Sequence, residues 1–148
     1  MPSSHLRKGR YSEPGHYYLV TAIVANRAPV FSDLRAGRLL VTQFRLAHEQ
    51  SRALSKAWVV MPDHFHWLIQ LQSGSLSDLV ARVKACSARA VNAQRQSAGK
   101  LWQSGFHDRG VRTDEELKHI ARYIIANPLR ANLVERIGDY PLWDAVWL

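Results

Sequence analysis

The chain has 148 residues, 47% of them hydrophobic, and a formal net charge of +8. This length and apolar content predict one folded domain with its own core and exclude a disordered chain. The apolar runs are no longer than strands, so we expect no membrane-spanning segment and no membrane partner. The positive charge, carried mostly by Arg, favours nucleic acid as a partner over a basic protein without an anionic ligand.

Residues 1–15 are polar and basic, with Arg7, Lys8 and Arg10, and lack the apolar core of a secretory signal. They predict a basic arm that contacts DNA. The single cysteine, Cys86, cannot form an internal disulfide and suits a reducing compartment. We therefore expect a cytoplasmic, nucleoid-associated protein.

Strand-like and helix-like patterns then alternate along the chain. Aromatic and β-branched residues predict a strand over 16–24, and an apolar stripe predicts a helix from Asp33 to about Leu54 with Ser32 as its N-cap. Residues 57–61 and 64–71 predict two strands joined as a hairpin by a tight turn.

Ser75 is the predicted N-cap of a helix that ends near Arg95, and a short strand is expected near 106–111. Thr113 opens the last clear helix, which Asn127-Pro128 disturbs or ends; the remainder is expected to be a tail with apolar anchors. The order β-α-β-β-α-β predicts an α+β, ferredoxin-like fold: a four-stranded antiparallel sheet with an additional C-terminal helix, in one domain over 16–148.

His64 and His66 are the first candidate site residues. Alternation along a strand puts both imidazoles on one face, where they could chelate one divalent cation. A pair of structural or surface histidines is the alternative, and the pair alone does not exclude it.

Tyr123 and Asn127 project from one flank of the helix after Thr113, because they are four residues apart. A boundary aromatic and a helix-ending amide are the alternatives for these two. Together with a metal held by strand histidines, however, an isolated tyrosine suits phosphodiester transesterification. Tyr140 is the rival nucleophile, but it lies beyond the helix.

Three ordered motifs carry a resemblance: VVMPDHFHWLIQL, LWQSGFHDRGVR and ARYIIANPLRANLV. In this order they resemble the Y1 transposase family of HUH single-strand DNA nucleases, and especially its REP-associated tyrosine transposase branch. The resemblance covers roughly residues 6 to 142. It implies a ferredoxin-like catalytic domain that cleaves single-stranded DNA beside a short hairpin, through a 5′-phosphotyrosine and with Mg²⁺ or Mn²⁺.

The resemblance also assigns roles. His64 and His66 match the HUH pair, Tyr123 matches the nucleophile, and Asn127 falls where the family places a third metal ligand. Insertion-sequence relatives usually have Gln at that place. Relatives act as monomers or as homodimers with an exchanged tyrosine helix. The short connection from Arg112 to Tyr123 favours chemistry within one chain.

The DNA-binding surface is expected to combine cations with flat or amide side chains. Cations on the helix of residues 75–95 suit phosphates, and a mixed segment after it suits unpaired bases. For Trp102, core packing is an equal alternative. Besides the arm residues Arg7, Lys8 and Arg10, the candidates are Arg82, Lys84, Arg89, Trp102, Gln103, Arg109, Arg112 and Arg130.

Three functions follow from these patterns. The first is a metal-dependent nuclease and strand transferase. The second is a non-catalytic protein that binds or regulates at DNA hairpins on the same scaffold. The third is a hydrolase that uses water activated by the histidines.

Overall fold

The structure, a computed structural model, describes residues 12–146. The predicted arm residues Arg7, Lys8 and Arg10 lie outside the described residues. Five strands form one sheet in the order β4-β1-β3-β2-β5, and every neighbouring pair is antiparallel. They are β1 (Tyr17–Ile23), β2 (Ala53–Met61), β3 (His64–Leu71), β4 (His107–Val111) and β5 (Trp143–Ala145).

Four α-helices accompany the sheet: α1 (Leu34–Glu49), α2 (Leu76–Arg95), α3 (Asp114–Ile125) and the short α4 (Asn127–Arg130). The β-α-β-β-α-β order and the additional helix are therefore confirmed. None of the helices within residues 12–146 is long and apolar enough to cross a membrane.

Side-chain caps set where the helices begin. Ser75 accepts a hydrogen bond from the Asp78 amide, and Thr113 accepts one from the Glu116 amide. The Glu116 carboxylate in turn accepts a hydrogen bond from the backbone amide of Arg112, one residue before the cap. These bonds satisfy amides that the helix itself leaves without partners.

The predicted bounds of the first helix were wrong at both ends. Asp33, not Ser32, is the N-cap, because its carboxylate accepts from the Arg35 amide. The helix ends at Glu49, and Leu54 belongs to β2. Ser51 has a φ of 56°, a left-handed conformation that breaks the helix and turns the chain into the strand.

The tail holds a fifth strand that the sequence did not predict. β5 pairs with β2, with Trp58 opposite Asp144, and the Val60 amide donates to the Leu142 carbonyl just before β5. Leu142 lies so close to α1 that a Cβ on Gly37 would be 2.4 Å from Leu142 Cδ1. Gly37 thus permits a close helix-to-tail contact that explains a glycine early in α1.

The two faces of the sheet carry two separate cores. On one face α1 and α2 cover Val20, Phe65 and Trp67, and Phe44 of α1 stacks on Trp67 with 4.5 Å between ring centroids. On the other face α3 packs against Leu68 of β3 and its neighbours. The face that α3 covers is the one that carries the candidate site.

Candidate active site

His64 and His66 project from β3 toward the α3 side of the sheet. They lie opposite Ile23 and Thr21 of β1, and their ring centroids are 5.0 Å apart. Phe65 between them is fully buried in the opposite core, which fixes the strand from behind. Alternation along the strand therefore holds two imidazoles side by side.

Each imidazole is oriented by a bond through Nδ1. The Nδ1 of His64 lies 2.7 Å from Asp63 Oδ1, and the Nδ1 of His66 lies 2.6 Å from Thr21 Oγ1. When Nδ1 donates to such an oxygen, Nε2 carries the lone pair that a metal takes. The Asp63 carboxylate can only accept and so favours this tautomer of His64, while the Thr21 hydroxyl is compatible with it in His66.

Burial and nearby charges also shift pKa values at the histidine pair in the direction that favours metal binding. Burial lowers the pKa of His66 to about 4, with further lowering from the charges of His64 and Arg130. His66 is therefore neutral at pH 7, which is the form that binds a metal. Burial acts to raise the pKa of Asp63, but hydrogen bonds and charges from His64 and Arg27 outweigh it and lower the pKa. The Asp63 carboxylate is accordingly ionised beside His64.

Tyr123 and Asn127 come from α3 and the first residue of α4. Ile120 and Ile124 of α3 pack in the same core as Leu68, two residues after His66 on β3. Tyr123 lies outside this core and is 57% exposed. The helix is thus anchored on the histidine face while its phenol stays open to solvent.

Arg130 connects the two halves of the site. Its Nη2 donates to the Tyr123 carbonyl at 2.5 Å and to Asn127 Oδ1, and its guanidinium lies over the Tyr123 ring, 3.8 Å from the centroid. Its charge also acts on His66. The helix α3, which carries Tyr123, packs against β2 and β3 and so lies on the same side of the sheet as the histidine pair.

The donor set fits a divalent cation of borderline character. Two imidazoles could bind through Nε2, and Asn127 offers an amide oxygen. Among residues 12–146, no group of three or more His, Cys, Asp or Glu side chains is placed to hold a metal. A third protein ligand would therefore have to be of another type, as Asn127 is.

Tyr140 has a different environment from Tyr123. Its hydroxyl donates to the Val60 carbonyl at 2.5 Å, and burial raises its pKa to about 12. A phenol that is engaged with the backbone and hard to ionise is a poor nucleophile. Its contacts are those of a residue that ties the tail to β2.

The predicted DNA-binding residues fall into different places. Lys84 is partly buried, and its ammonium donates to the carbonyls of Gln103 and Gly105 at 2.7 Å each. Burial, with the charge of Lys100, lowers its pKa to about 8. Lys84 thus stabilises the loop before β4 through these two hydrogen bonds. The predicted arginines with exposed side chains are Arg82, Arg89, Arg109, Arg112 and Arg130.

Trp102 lies in the core, the alternative that the sequence left open. It is 4% exposed, and its indole N–H donates to Ser87 Oγ at 3.0 Å. Its ring contacts Phe31 and Phe65, with centroids 5.5 and 5.4 Å away. Gln103 beside it is half-buried, and its backbone N–H donates to the Ile23 carbonyl.

Sequence reasoning missed Asp63 and Thr21 as partners of the histidines. Asp63 could have been found, because a carboxylate directly before His64 in a tight turn is a recognisable orienting pair. Thr21 could not, because its position opposite His66 depends on the register between β1 and β3. The contacts of Arg130 with Tyr123 were also missed.

Comparison with known proteins places the chain in a family. The family described as "Transposase IS200 like" matches residues 12–127. A REP-associated tyrosine transposase of Escherichia coli (strain K12) is 25% identical over 114 residues, which cover 72% of this chain and 67% of that protein.

The fold also has a solved counterpart. A structure of a REP-associated tyrosine transposase bound to a REP hairpin superimposes with a TM-score of 0.77 at 23% identity, over 90% of this chain and 79% of the other. The chain spans about two thirds of the length of the curated relatives that it matches. With most of its length matched by the family, the chain belongs to the IS200-like transposases.

Proposed function

We propose that the protein is a metal-dependent single-stranded DNA nuclease and strand transferase that cleaves beside REP-type hairpins with Tyr123 as nucleophile. The observation that carries this proposal is the contact of Arg130 with both Tyr123 and Asn127, while its charge acts on His66. In this proposal one site would contain the nucleophile Tyr123 and three candidate ligands. The hairpin is inferred from relatives whose names include REP elements.

The chain's own residues perform most of the proposed reaction. His64, His66 and Asn127 would hold Mg²⁺ or Mn²⁺, which when bound draws charge from a non-bridging phosphate oxygen. The Tyr123 oxygen loses its proton to solvent and attacks phosphorus. A bond forms between that oxygen and phosphorus, the bond to the 3′-oxygen breaks, and the 3′-oxygen takes up a proton. The product is a 5′-phosphotyrosine and a free 3′-hydroxyl.

The same steps in reverse join a new strand. A 3′-hydroxyl attacks the phosphotyrosine, and Tyr123 leaves as the phenol. No external energy source is needed, because one phosphodiester bond replaces another. Exposure of Tyr123 supports this role, since both strands must reach its oxygen.

The exposed arginines Arg82, Arg89, Arg109 and Arg112 are proposed to contact phosphates, and Arg7, Lys8 and Arg10 are proposed to contact DNA as well. Such contacts position the strand without reading its sequence.

The test uses an oligonucleotide that carries a REP-type hairpin with single-stranded flanks. With Mg²⁺ or Mn²⁺ we expect the wild-type protein to cleave it and form a covalent adduct that survives denaturing electrophoresis. Peptide mass spectrometry should place the modification on Tyr123. Tyr123→Phe should form no adduct, and Tyr140→Phe is the matched control that should still form one.

Cleavage or adduct formation by Tyr123→Phe would exclude Tyr123 as the nucleophile. Intact cleavage without any adduct would instead favour the hydrolase that uses activated water. EDTA should abolish cleavage while leaving much of the DNA binding. Cleavage that continues in EDTA would exclude metal dependence.

A binding-only protein is the second candidate. It is favoured because, within residues 12–146, no group of three or more His, Cys, Asp or Glu side chains is placed to hold a metal. If the wild-type protein binds hairpins tightly yet never nicks them with either metal, the binding function is the correct one.

A further inference from the structure

Arg130 makes an unusual set of contacts for an exposed arginine. One guanidinium nitrogen, Nη2, donates to both the Tyr123 carbonyl and Asn127 Oδ1. The guanidinium carbon also lies over the Tyr123 ring, 3.8 Å from its centroid, within the range of a cation–π contact. A single cation thus holds together the nucleophile and the candidate third ligand.

Only one of the two polar atoms in the side-chain amide of Asn127 forms a hydrogen bond among residues 12–146. Its Oδ1 accepts from Arg130, whereas its Nδ2 is buried without a hydrogen-bond partner among residues 12–146. Turning the amide over would put an N–H group against a guanidinium that offers only donors. Oδ1 is therefore the atom that faces a positive charge, and it is also the atom that a metal would take.

We infer that Arg130 and the divalent cation compete for Asn127 Oδ1, and that Arg130 is a positioning residue which holds Tyr123 and Asn127 together until the metal displaces it. This inference rests on the proposed function, since it concerns the same site. Guanidinium stays protonated at all working pH values, so the competition cannot be relieved by loss of a proton.

Displacement has a consequence for DNA. Two cations at one oxygen repel each other, so a bound metal drives the guanidinium away from Asn127. Once displaced, the Arg130 guanidinium has several N–H donors in one plane beside Tyr123, and this geometry is well suited to binding a phosphate. Metal binding at Asn127 would thus release Arg130 to the substrate strand.

The experiment is a titration of the full chain with Mn²⁺ in the absence of DNA, followed by electron paramagnetic resonance of free Mn²⁺. We expect Arg130→Gln to bind Mn²⁺ roughly tenfold more tightly than the wild type, as removal of a competing cation predicts. The matched control is Arg122→Gln, an exposed arginine of α3 that makes the same change in net charge. The control should stay within about twofold of the wild type.

A double-mutant cycle separates competition from simple charge repulsion. If Arg130 acts through Asn127, most of the gain from Arg130→Gln should disappear when Asn127 is Ala. Arg130→Lys provides a second variant that keeps the charge but loses the fork, and its gain should lie between those of wild type and Arg130→Gln.

Several results would overturn the inference: equal or weaker Mn²⁺ binding by Arg130→Gln, an equal gain in Arg122→Gln, an undiminished gain in the Asn127→Ala background, or no Mn²⁺ binding by any of the proteins. The titration contains no DNA, so its outcome is independent of cleavage. Adduct formation with unchanged Mn²⁺ affinities would reject the competition alone. Tighter binding by Arg130→Gln in a protein that forms no adduct would reject the proposed chemistry alone.

Discussion

Arg130 lies over the ring of Tyr123, with 3.8 Å between the guanidinium carbon and the ring centroid. The two residues are seven positions apart, on two helices that meet at Ala126. The break at Ala126 lets Arg130 fold back over the end of α3. Tyr123, the proposed nucleophile, is therefore contacted by a residue of the next helix.

Asp63 is predicted to set the metal affinity of the site through His64. Asp63→Ala removes the acceptor 2.7 Å from His64 Nδ1, so the ring loses both its tautomer and its orientation. We expect Mn²⁺ affinity to fall about 10- to 100-fold, as for other partners of metal-binding histidines. Isothermal titration calorimetry of the full chain measures this.

Arg27→Gln is the control for that experiment. Arg27 donates to the other carboxylate oxygen of Asp63 at 3.2 Å, but the pair is solvent-exposed. Exposed ion pairs contribute little, so its affinity should change less than threefold. Unchanged affinity in Asp63→Ala would show that the turn carboxylate does not orient His64.

Tyr140 is predicted to make stability depend on alkaline pH. Burial raises its folded pKa to about 12, whereas an unfolded tyrosine ionises near pH 10. Between these values the unfolded chain releases a proton that the folded protein keeps, so the free energy of unfolding falls as pH rises. The contribution is complete below pH 10.

Tyr140→Phe isolates this effect, because the other tyrosines cancel in the comparison. At pH 8 the wild type should be more stable by about 1 kcal/mol, the contribution of the bond to the Val60 carbonyl. Urea denaturation at pH 8, 10 and 11.5 should show the difference shrinking above pH 10. A difference that stays constant across this range would mean that Tyr140 ionises as it does in the unfolded chain.

Trp102 is predicted to support the fold rather than to stack on DNA. Ser87→Ala leaves its buried indole N–H without an acceptor and should lower the free energy of unfolding by about 1–3 kcal/mol. Once Trp102→Phe has removed that N–H, Ser87→Ala should cost much less. Chemical denaturation of the four proteins measures the coupling.

The affinity of Trp102→Phe for DNA tests the alternative function, base stacking. Folded Trp102→Phe should bind single-stranded DNA as the wild type does, because the ring is buried against Phe31 and Phe65. A loss of affinity without a loss of stability would restore base stacking as its function.

Arg82 and Arg89 are predicted to contact phosphates from the exposed side of α2. Each change to Gln should weaken binding of unrelated single strands equally and reduce the slope of log K against log salt by about 0.7. Fluorescence anisotropy at several salt concentrations measures this slope. Unchanged slopes in both variants would place the DNA elsewhere.

Lys84→Met is the comparison on the same helix. Because Lys84 bonds two loop carbonyls, its loss should lower the free energy of unfolding by about 1–3 kcal/mol. Its effect on the salt slope should be small. A salt slope reduced as in the arginine variants would instead indicate that Lys84 leaves the loop for the DNA.

The order of elements could be predicted from the sequence because alternation and helical stripes are local signals. The hairpin of β2 and β3 follows from the short turn between two strand patterns, and the shared face of His64 and His66 follows from the two-residue period. The end of α1 could not be predicted, because the apolar Leu54 suits either a helix stripe or a strand. β5 has only three residues, too few to show any period.

Other features depend on tertiary geometry. Trp102 was ambiguous because a tryptophan suits a core and a base equally well, and its burial and tertiary contacts distinguish the two. Arg130 was predicted only as a DNA-binding residue, because its fold back onto Tyr123 depends on the angle between α3 and α4. No residue pattern encodes that angle directly.

The link from β4 to α3 consists of residues 112–113 alone. Such a link spans about 10 Å at full extension, so it tethers Tyr123, Asn127 and Arg130 to the edge of their own sheet. We expect that delivery of this segment to a second subunit would require β4 to detach from β1 or the tether to be lengthened. A flexible linker inserted here should therefore allow the segment with Tyr123 to reach the histidine pair of a second copy of the chain.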